Sequence, residues 1–324
     1  MIIDIHTHLG DILNPGGGSL IFQENIRKQI GFDMISFSEF LHHSGVTRRF
    51  DAWLYEKTYN LVTRASIARN ATATLANMRQ SMDAAGITGS ACMPIPPYLT
   101  FADLKAAKEQ EDRIIPFTGV DFTKTTKADD LEANFAEDVA GGAKGLKLHP
   151  IIQRTPLSDA RTLAAVAAFS AHRLPILFHC GISSYYIEPA SQTRKRAALG
   201  GIAYARELVA AFPDVVFIAG HAGLFKYREV IDLLSPFKNV MVDTSFQAVG
   251  HVRELIRAFG PERVMFASDW PFGNRPPAIR IIKKACRGDK GLARRIFYEN
   301  AASLLKIDAP LKVSTPGLSN FSEP

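Results

Sequence analysis

Short apolar runs alternate with stretches of helical periodicity along most of the chain, and this alternation limits the fold more than any other feature. Eight runs read as strands: Ile2–His8, Ile87–Pro94, Ile114–Asp121, Gly145–His149, Pro175–Cys180, Val215–His221, Val240–Ser245 and Val264–Asp269. Between them lie helical patterns. Leu75, Met78, Met82 and Ala85 recur at helical spacing, and Gly86 supplies a stop. Leu131, Phe135 and Val139 repeat the pattern, and Ser158 is the expected cap of a helix running to His172. Further helices are expected at Ala203–Phe212, Tyr227–Leu234, Val252–Phe259 and Ala278–Leu305, with Phe101–Gln110 the weakest. Strands joined through helices pair in parallel, and eight such units make a closed (β/α)8 TIM barrel of the α/β class. The alternative, an open doubly wound sheet, normally carries a glycine-rich phosphate loop after its first strand, and the sequence has none.

The barrel is expected to span residues 1–307. A partly helical insertion at about 10–70 follows the first strand and is expected to cover the catalytic mouth; a loose tail rich in Pro and Ser occupies 308–324. Hydrophobic residues make up 47% and charged residues 22%, an ordinary globular balance. No apolar run approaches the roughly 18–20 residues that span a bilayer, and the first residues lack a secretory pattern. Cys92, Cys180 and Cys286 are scattered and odd in number, which argues against a disulfide framework and for a cytoplasmic setting. The net charge of +6 is spread along the chain rather than gathered into a basic stripe. Nucleic acid and membrane are therefore not expected partners; a small anionic substrate is, and a homodimer stays open.

Polar residues of metal-ligating type fall at strand C-termini, the face where such barrels assemble active sites. Side chains alternate along a strand, so His6 and His8 point into the mouth together while Thr7 points out. His179, His221 and Asp269 each close another apolar run. Lys147 and His149 share a face of the fourth strand. Cys180 points away from the mouth, Asp243 is placed to support the site or its own loop, and Trp270 and Phe272 are candidate pocket walls. His42, His43, His172 and His251 fall where surface or packing roles are expected.

Asp-Ile-His-Thr-His at the start, Gly-Leu-Lys-Leu-His-Pro, Phe-His-Cys-Gly, Gly-His-Ala-Gly and Ala-Ser-Asp-Trp-Pro-Phe together resemble the amidohydrolase superfamily. The resemblance is strongest to its amidohydrolase-related branch, which includes pyrone-dicarboxylate lactonase and aminocarboxymuconate-semialdehyde decarboxylase. It implies that His6, His8, His179 and Asp269 hold a metal, that His221 and Asp269 are catalytic, and that Lys147 binds an anionic substrate or bridges a second metal. His149, Arg48, Arg49 and Arg194 are further candidates for substrate binding.

Three imidazoles and a carboxylate suit Zn²⁺, one ion being favoured over two, with Mn²⁺ an alternative. The leading expectation is hydrolysis of an amide, lactone or related acyl bond by metal-activated water. The alternative is a carboxy-lyase acting on a small aromatic or unsaturated acid, because that reaction draws on nearly the same residues. A non-catalytic metal-binding barrel is the third reading, and an extra histidine beside a complete ligand set speaks against it.

Overall fold

The computed structural model describes residues 1–44, 51–124 and 127–307, with the backbone alone for 42–44 and 51–56. Strands β1 (Ile3–Thr7), β2 (Gly89–Cys92) and β3 (Ile114–Pro116) form one parallel sheet. A second holds β4 (Thr118–Gly119), β5 (Leu146–Leu148), β6 (Ile176–His179), β7 (Phe217–Gly220), β8 (Val240–Asp243) and β9 (Val264–Met265). Each strand pairs in parallel with its sequence neighbour. β3 and β4 are one path with a break at Phe117, whose N–H donates to the Cys92 carbonyl while that of Thr118 donates to Gly145.

The ring closes between β1 and the segment after β9. Ile5 N donates to Phe266 O (3.1 Å), Asp269 N to His6 O (2.9 Å) and His8 N to Trp270 O (2.7 Å). Thr7 forms a bridge to Trp270. The architecture is the expected eight-stranded TIM barrel with helices outside.

Two apolar layers follow from strand alternation. Ile3, Ile5, Leu177, Ile218 and Met265 belong to the inner cluster, which Ala301, Ala302 and Leu305 also join. Leu146, Leu148, Phe178, Ala219 and Val242 face the other way and pack with helix residues such as Val166, Leu208 and Val230. Burying one such aliphatic side chain stabilises by about 1.5–3 kcal/mol. A register shift between Asp4 and Thr7 interrupts this alternation in β1. A bulge of this kind re-aims side chains. It lets Ile3 and Ile5 join the inner cluster while His6 and His8, one step out of phase, also reach the interior.

Helix boundaries follow local chemistry. Leu75–Ala85 is capped by Thr74, which accepts from Asn77 N, and it stops at Gly86, where φ is 67°. Phe101–Lys108, the weakest expectation, is a helix with a Thr100–Asp103 capping box. Asp159, not Ser158, caps the helix Ala160–Ser170 by accepting from Arg161 N. The single helix expected over Ala278–Leu305 is broken into Arg275–Ala285, Lys290–Arg294, a π turn at Arg295–Glu299 and Asn300–Leu305. Arg287 and Gly288, both with positive φ, and the new cap at Asp289 account for the first break.

The insertion contains the helices Met34–Ser44 and Asp51–Asn70 and rests on two of the loops above the strands. Arg69 Nη1 donates to Phe272 O (2.8 Å), Asn274 N donates to Glu39 (2.7 Å), and Thr63 donates to Ser184 (3.1 Å). Arg48 and Arg49 and the tail from 308 onward lie outside the described residues. Among the described residues no helix is long and apolar enough to cross a membrane.

One buried ion pair ties the seam together. Arg275, fully buried, donates through Nε to Asp4 Oδ2 (3.1 Å) and through Nη2 to Ser90 (2.8 Å). Asp4 also accepts from Ser268 N (2.9 Å) and Ser268 Oγ (2.5 Å), one residue from Asp269. Burial raises the Asp4 carboxyl above its ordinary range while Arg275 opposes that rise. Replacing Arg275 by Met leaves Asp4 buried and unpaired, an expected loss of about 3–5 kcal/mol. Urea denaturation measures it, and pairing the change with Asp4→Leu should recover much of the loss.

Candidate active site

Strand ends from across the barrel deliver the candidate residues to one buried cluster. Lys147 Nζ donates to His6 Nε2 at 2.7 Å, and Asp269 Oδ1 lies 3.6 Å from His6 Nε2 and 3.3 Å from His8 Nε2. The rings of His6 and His221 stack with centroids 4.6 Å apart, and His221 Nε2 is 3.1 Å from His179 Nδ1. One ligand atom from each of His6, His221 and Asp269 lies within 4.8 Å of the others. His221, given a catalytic role by the sequence, thus stands in coordinating company, and His179 stands against it.

The partners of each imidazole fix its tautomer. His6 Nδ1 donates to Asp243 Oδ2 (2.8 Å), and His8 Nδ1 donates to the Met93 carbonyl (3.1 Å). Ser245 Oγ donates to Asp243 Oδ1 (2.6 Å), so it accepts from His221 Nδ1 (2.7 Å). With its Nδ1 proton placed there, His221 Nε2 accepts from His179 Nδ1, and His179 Nε2 accepts from Ser183 Oγ (3.1 Å). All four rings therefore carry hydrogen on Nδ1 and bare Nε2. His149 is the reverse: its Nδ1 accepts from Ile152 N (3.3 Å), and its Nε2 donates to the Tyr185 hydroxyl (3.2 Å). It stacks on His179 at 4.2 Å and orders that ring and Tyr185, with no lone pair left for a metal.

The electrostatics follow from burial. Desolvation is the main force holding His6, His8 and His221 well below the usual imidazole range and His179 at about 3. Lys147 is lowered to about 7 by desolvation, against the pull of Asp269 and Asp243. Desolvation pushes Asp269 well above the carboxylate range, Lys147 opposing. Its Oδ1 is buried without a hydrogen-bond partner among the described residues, because neither nearby Nε2 carries a hydrogen.

Backbone strain marks the same places. Asp269 has φ of 58° and His221 of 56°, left-handed values that non-glycine residues adopt at a cost. Gly220 is needed beside His221: a Cβ there would come within 2.8 Å of Phe178 O and 3.4 Å of His6 Cε1.

Other expectations sort by position. Asp243 supports His6 and its own loop together. Cys180 is buried with Sγ toward Gly220 O, and burial raises its thiol. Phe272 stands edge-on to His8 at 5.6 Å and forms a wall, whereas Trp270 stacks on Arg275. His251 stacks on Tyr227, and His172 packs near Phe169. Arg194 is exposed on the helix Ala190–Ala197. Sequence reasoning missed Ser183, Tyr185, Ser245 and the Asp4–Arg275 pair. Ser245 and Asp4, each two residues from a candidate, offered a positional signal; the loop residues offered none. A cavity of about 640 Å³ is lined by Asp11, Arg27, Arg64, Ile67 and Ile187 and by none of the clustered histidines.

The family model described as Amidohydrolase matches residues 3–307. Comparison with curated protein sequences finds no match. Among solved structures, an uncharacterised TIM-barrel protein from Bordetella bronchiseptica is similar at 16% identity, covering 94% of this chain and 98% of that one, with a TM-score of 0.62. The 5-carboxyvanillate decarboxylase of Novosphingobium aromaticivorans, complexed with manganese and a nitrobenzoic acid, has 15% identity, 95% and 96% coverage and a TM-score of 0.61. A probable 2-pyrone-4,6-dicarboxylic acid hydrolase from Acinetobacter baumannii, with citric acid bound, has 14% identity, 94% and 99% coverage and a TM-score of 0.57.

The lowered pKa of Lys147 makes stability depend on pH. Between about 7 and its unfolded value of 10.5, the unfolded chain binds a proton that the folded chain does not, so stability rises with pH. Lys147→Met lacks this titration. In chelated protein between about pH 8 and 10, wild-type unfolding free energy should climb relative to the variant by up to ~1.4 kcal/mol per pH unit. Parallel profiles in urea titrations would show that Lys147 is not perturbed.

Proposed function

The chain belongs to the amidohydrolase family over residues 3–307, and on that premise we propose that it is a divalent-metal-dependent enzyme hydrolysing an amide, lactone or related acyl bond in a small anionic substrate. The observation that carries this reading is the orphaned Asp269 Oδ1 facing His6 and His8. A proton between them would satisfy one pair; a divalent cation satisfies the carboxylate and both imidazoles together. His6, His8, His221 and Asp269 supply the nearest donors, and His179 extends the set. Neutral imidazoles with a carboxylate suit Zn²⁺, and Mn²⁺ is the ion named for the similar decarboxylase.

When bound, such an ion supplies Lewis acidity, lowering the pKa of water and polarising a carbonyl or carboxylate oxygen. Asp269 takes the proton of the attacking water and returns it to the leaving group. The Ser245–Asp243 relay pins the His221 ring, so its Nε2 keeps its place among those donors. Phe272 and Tyr185, rings 6.1 Å apart, wall the site and limit water entry. Lys147 adds positive charge toward an anionic substrate when protonated.

Decarboxylation is the second reading, favoured by the activity named for the manganese-containing relative. There a proton delivered by Asp269 replaces the departing carbon dioxide on the substrate carbon.

Metal analysis of purified protein, with lactones and aromatic carboxylates offered in turn, separates these reactions by ¹⁸O incorporation from water against carbon dioxide release. Asp269→Asn is expected to lower both metal content and turnover, the latter about 10²–10⁴-fold. Wild-type metal content and turnover in that variant would defeat both readings.

A further inference from the structure

The turn that carries Asp269 is held by side chains of the insertion as well as by the barrel seam. Gly273 N donates to Asp269 O (3.0 Å) and closes the turn. Within it, Pro271 and Phe272 turn their carbonyls to Arg69, whose Nη1 donates to them at 3.2 and 2.8 Å. Arg69 Nε and Nη2 donate to Asp33 Oδ2 (3.1 and 2.8 Å), and Nη2 also donates to Ser36 Oγ (2.8 Å). One residue past the turn, Asn274 N donates to Glu39 Oε1 (2.7 Å), and its side-chain amide donates to Ser36 Oγ (3.3 Å). The turn has little slack: a Cβ at Gly273 would come within 2.0 Å of Ser268 O and 3.4 Å of Glu39 Oε1.

Arg69 is 2% exposed, and every nitrogen of its guanidinium donates. The planar fork lets one edge grip a carboxylate while the other end grips main-chain carbonyls. Burial would raise the Asp33 carboxyl, but hydrogen bonds from Arg69 and Lys28 and the charge of Arg69 hold it at about 2. The anchor therefore stays ionised and fixes the guanidinium in one orientation. A non-glycine residue at φ of 58° keeps that conformation where its neighbours over-determine it, as at Asp269. Asp4 holds the residue before Asp269, and Arg69 holds the residues after it. The helix Asp51–Asn70 reaches two other loops through different residues. Thr63 donates to Ser184, beside the Ser183 that bonds His179, and Asn70 Oδ1 accepts from Ile12 N (3.2 Å) after β1. Of the three, Arg69 is the one at the turn of Asp269.

We propose that Arg69 is a positioning residue: it fixes the turn Asp269–Gly273, and through it the aim of the Asp269 carboxylate and of the Phe272 ring. Phe272 takes the shorter of the two carbonyl bonds and sets its ring edge-on to His8 at 5.6 Å, so one guanidinium governs both a ligand-type carboxylate and a wall. The insertion is then a working part of the site rather than a cover laid over it. This inference deepens the reaction proposed above and rests on that reading.

The chain has two tryptophans, so Trp53→Phe leaves Trp270, inside the turn and 8% exposed, as a reporter that needs neither metal nor substrate. In that background Arg69→Met should raise the acrylamide quenching constant of Trp270 at least about twofold, because the turn opens locally more often. Zinc titration of the chelated protein should show binding weakened about 10–100-fold. Arg69→Lys keeps a charge at Asp33 but not the fork; it should produce both effects in part, and it serves as the test should Arg69→Met fail to fold in a thermal melt. Thr63→Val removes a bond of the same helix away from the turn and should leave the quenching constant unchanged. Quenching unaltered in both Arg69 variants, an equal rise in Thr63→Val, or a loosened turn with undiminished zinc affinity overturns the proposal. A background chain that binds no zinc, yet loosens its turn on losing Arg69, upholds the hold on the turn and removes the metal reading. Zinc bound equally with and without Arg69 does the opposite.

Discussion

Closure of the barrel between its first and last strands is the constraint on which the site depends. His6 and His8 lie more than 260 residues from Asp269 in the sequence, yet main-chain bonds run from Asp269 N to His6 O and from His8 N to Trp270 O. Beneath that seam Asp4 accepts from Ser268 and Arg275, so the residue before Asp269 is held by the residue two before His6. A buried ion pair is weak evidence of net stability. Here its geometry matters more, because the left-handed turn at Asp269 keeps its conformation only where neighbours hold it.

The second organising fact is where the imidazole hydrogens go. Asp243, the Met93 carbonyl and Ser245 take the Nδ1 hydrogens of His6, His8 and His221, and His179 gives its own to His221. Nitrogen lone pairs and a carboxylate oxygen are thereby turned toward one another in a buried region. Such a region is poor at hosting charge, which is why the rings stay neutral and Asp269 resists ionisation. The same economy of partners leaves one acceptor at the centre, Asp269 Oδ1, without a hydrogen bond among the described residues.

Much of this was legible in the chain. Strand order, the parallel barrel and the strand-end placement of His6, His8, Lys147, His179, His221 and Asp269 all follow from periodicity and from polar residues closing apolar runs. The inward turn of His6 and His8 also matched the sequence reading, although it depends on a bulge that no pattern announced. Helix ends were less legible, since Asp159 and Ser158 are both competent caps and only packing chose between them. Ser183 and Tyr185 were not singled out as site residues, because a loop carries no periodicity from which to infer where its side chains land. Trp270 packs its ring against the buried Arg275 guanidinium, a contact no sequence pattern announced.

By itself, then, the order of residues determined the architecture and the chemical types gathered at one rim, because hydrophobic period and strand direction are local properties that sum to a global shape. The tertiary structure alone decided which nitrogen of each histidine is bare and that His149 orders its neighbours while His221 stands beside His6 and Asp269. Those outcomes rest on contacts between strands and loops far apart in the chain, and a hydrogen bond of about 3 Å leaves no room for inference from spacing alone.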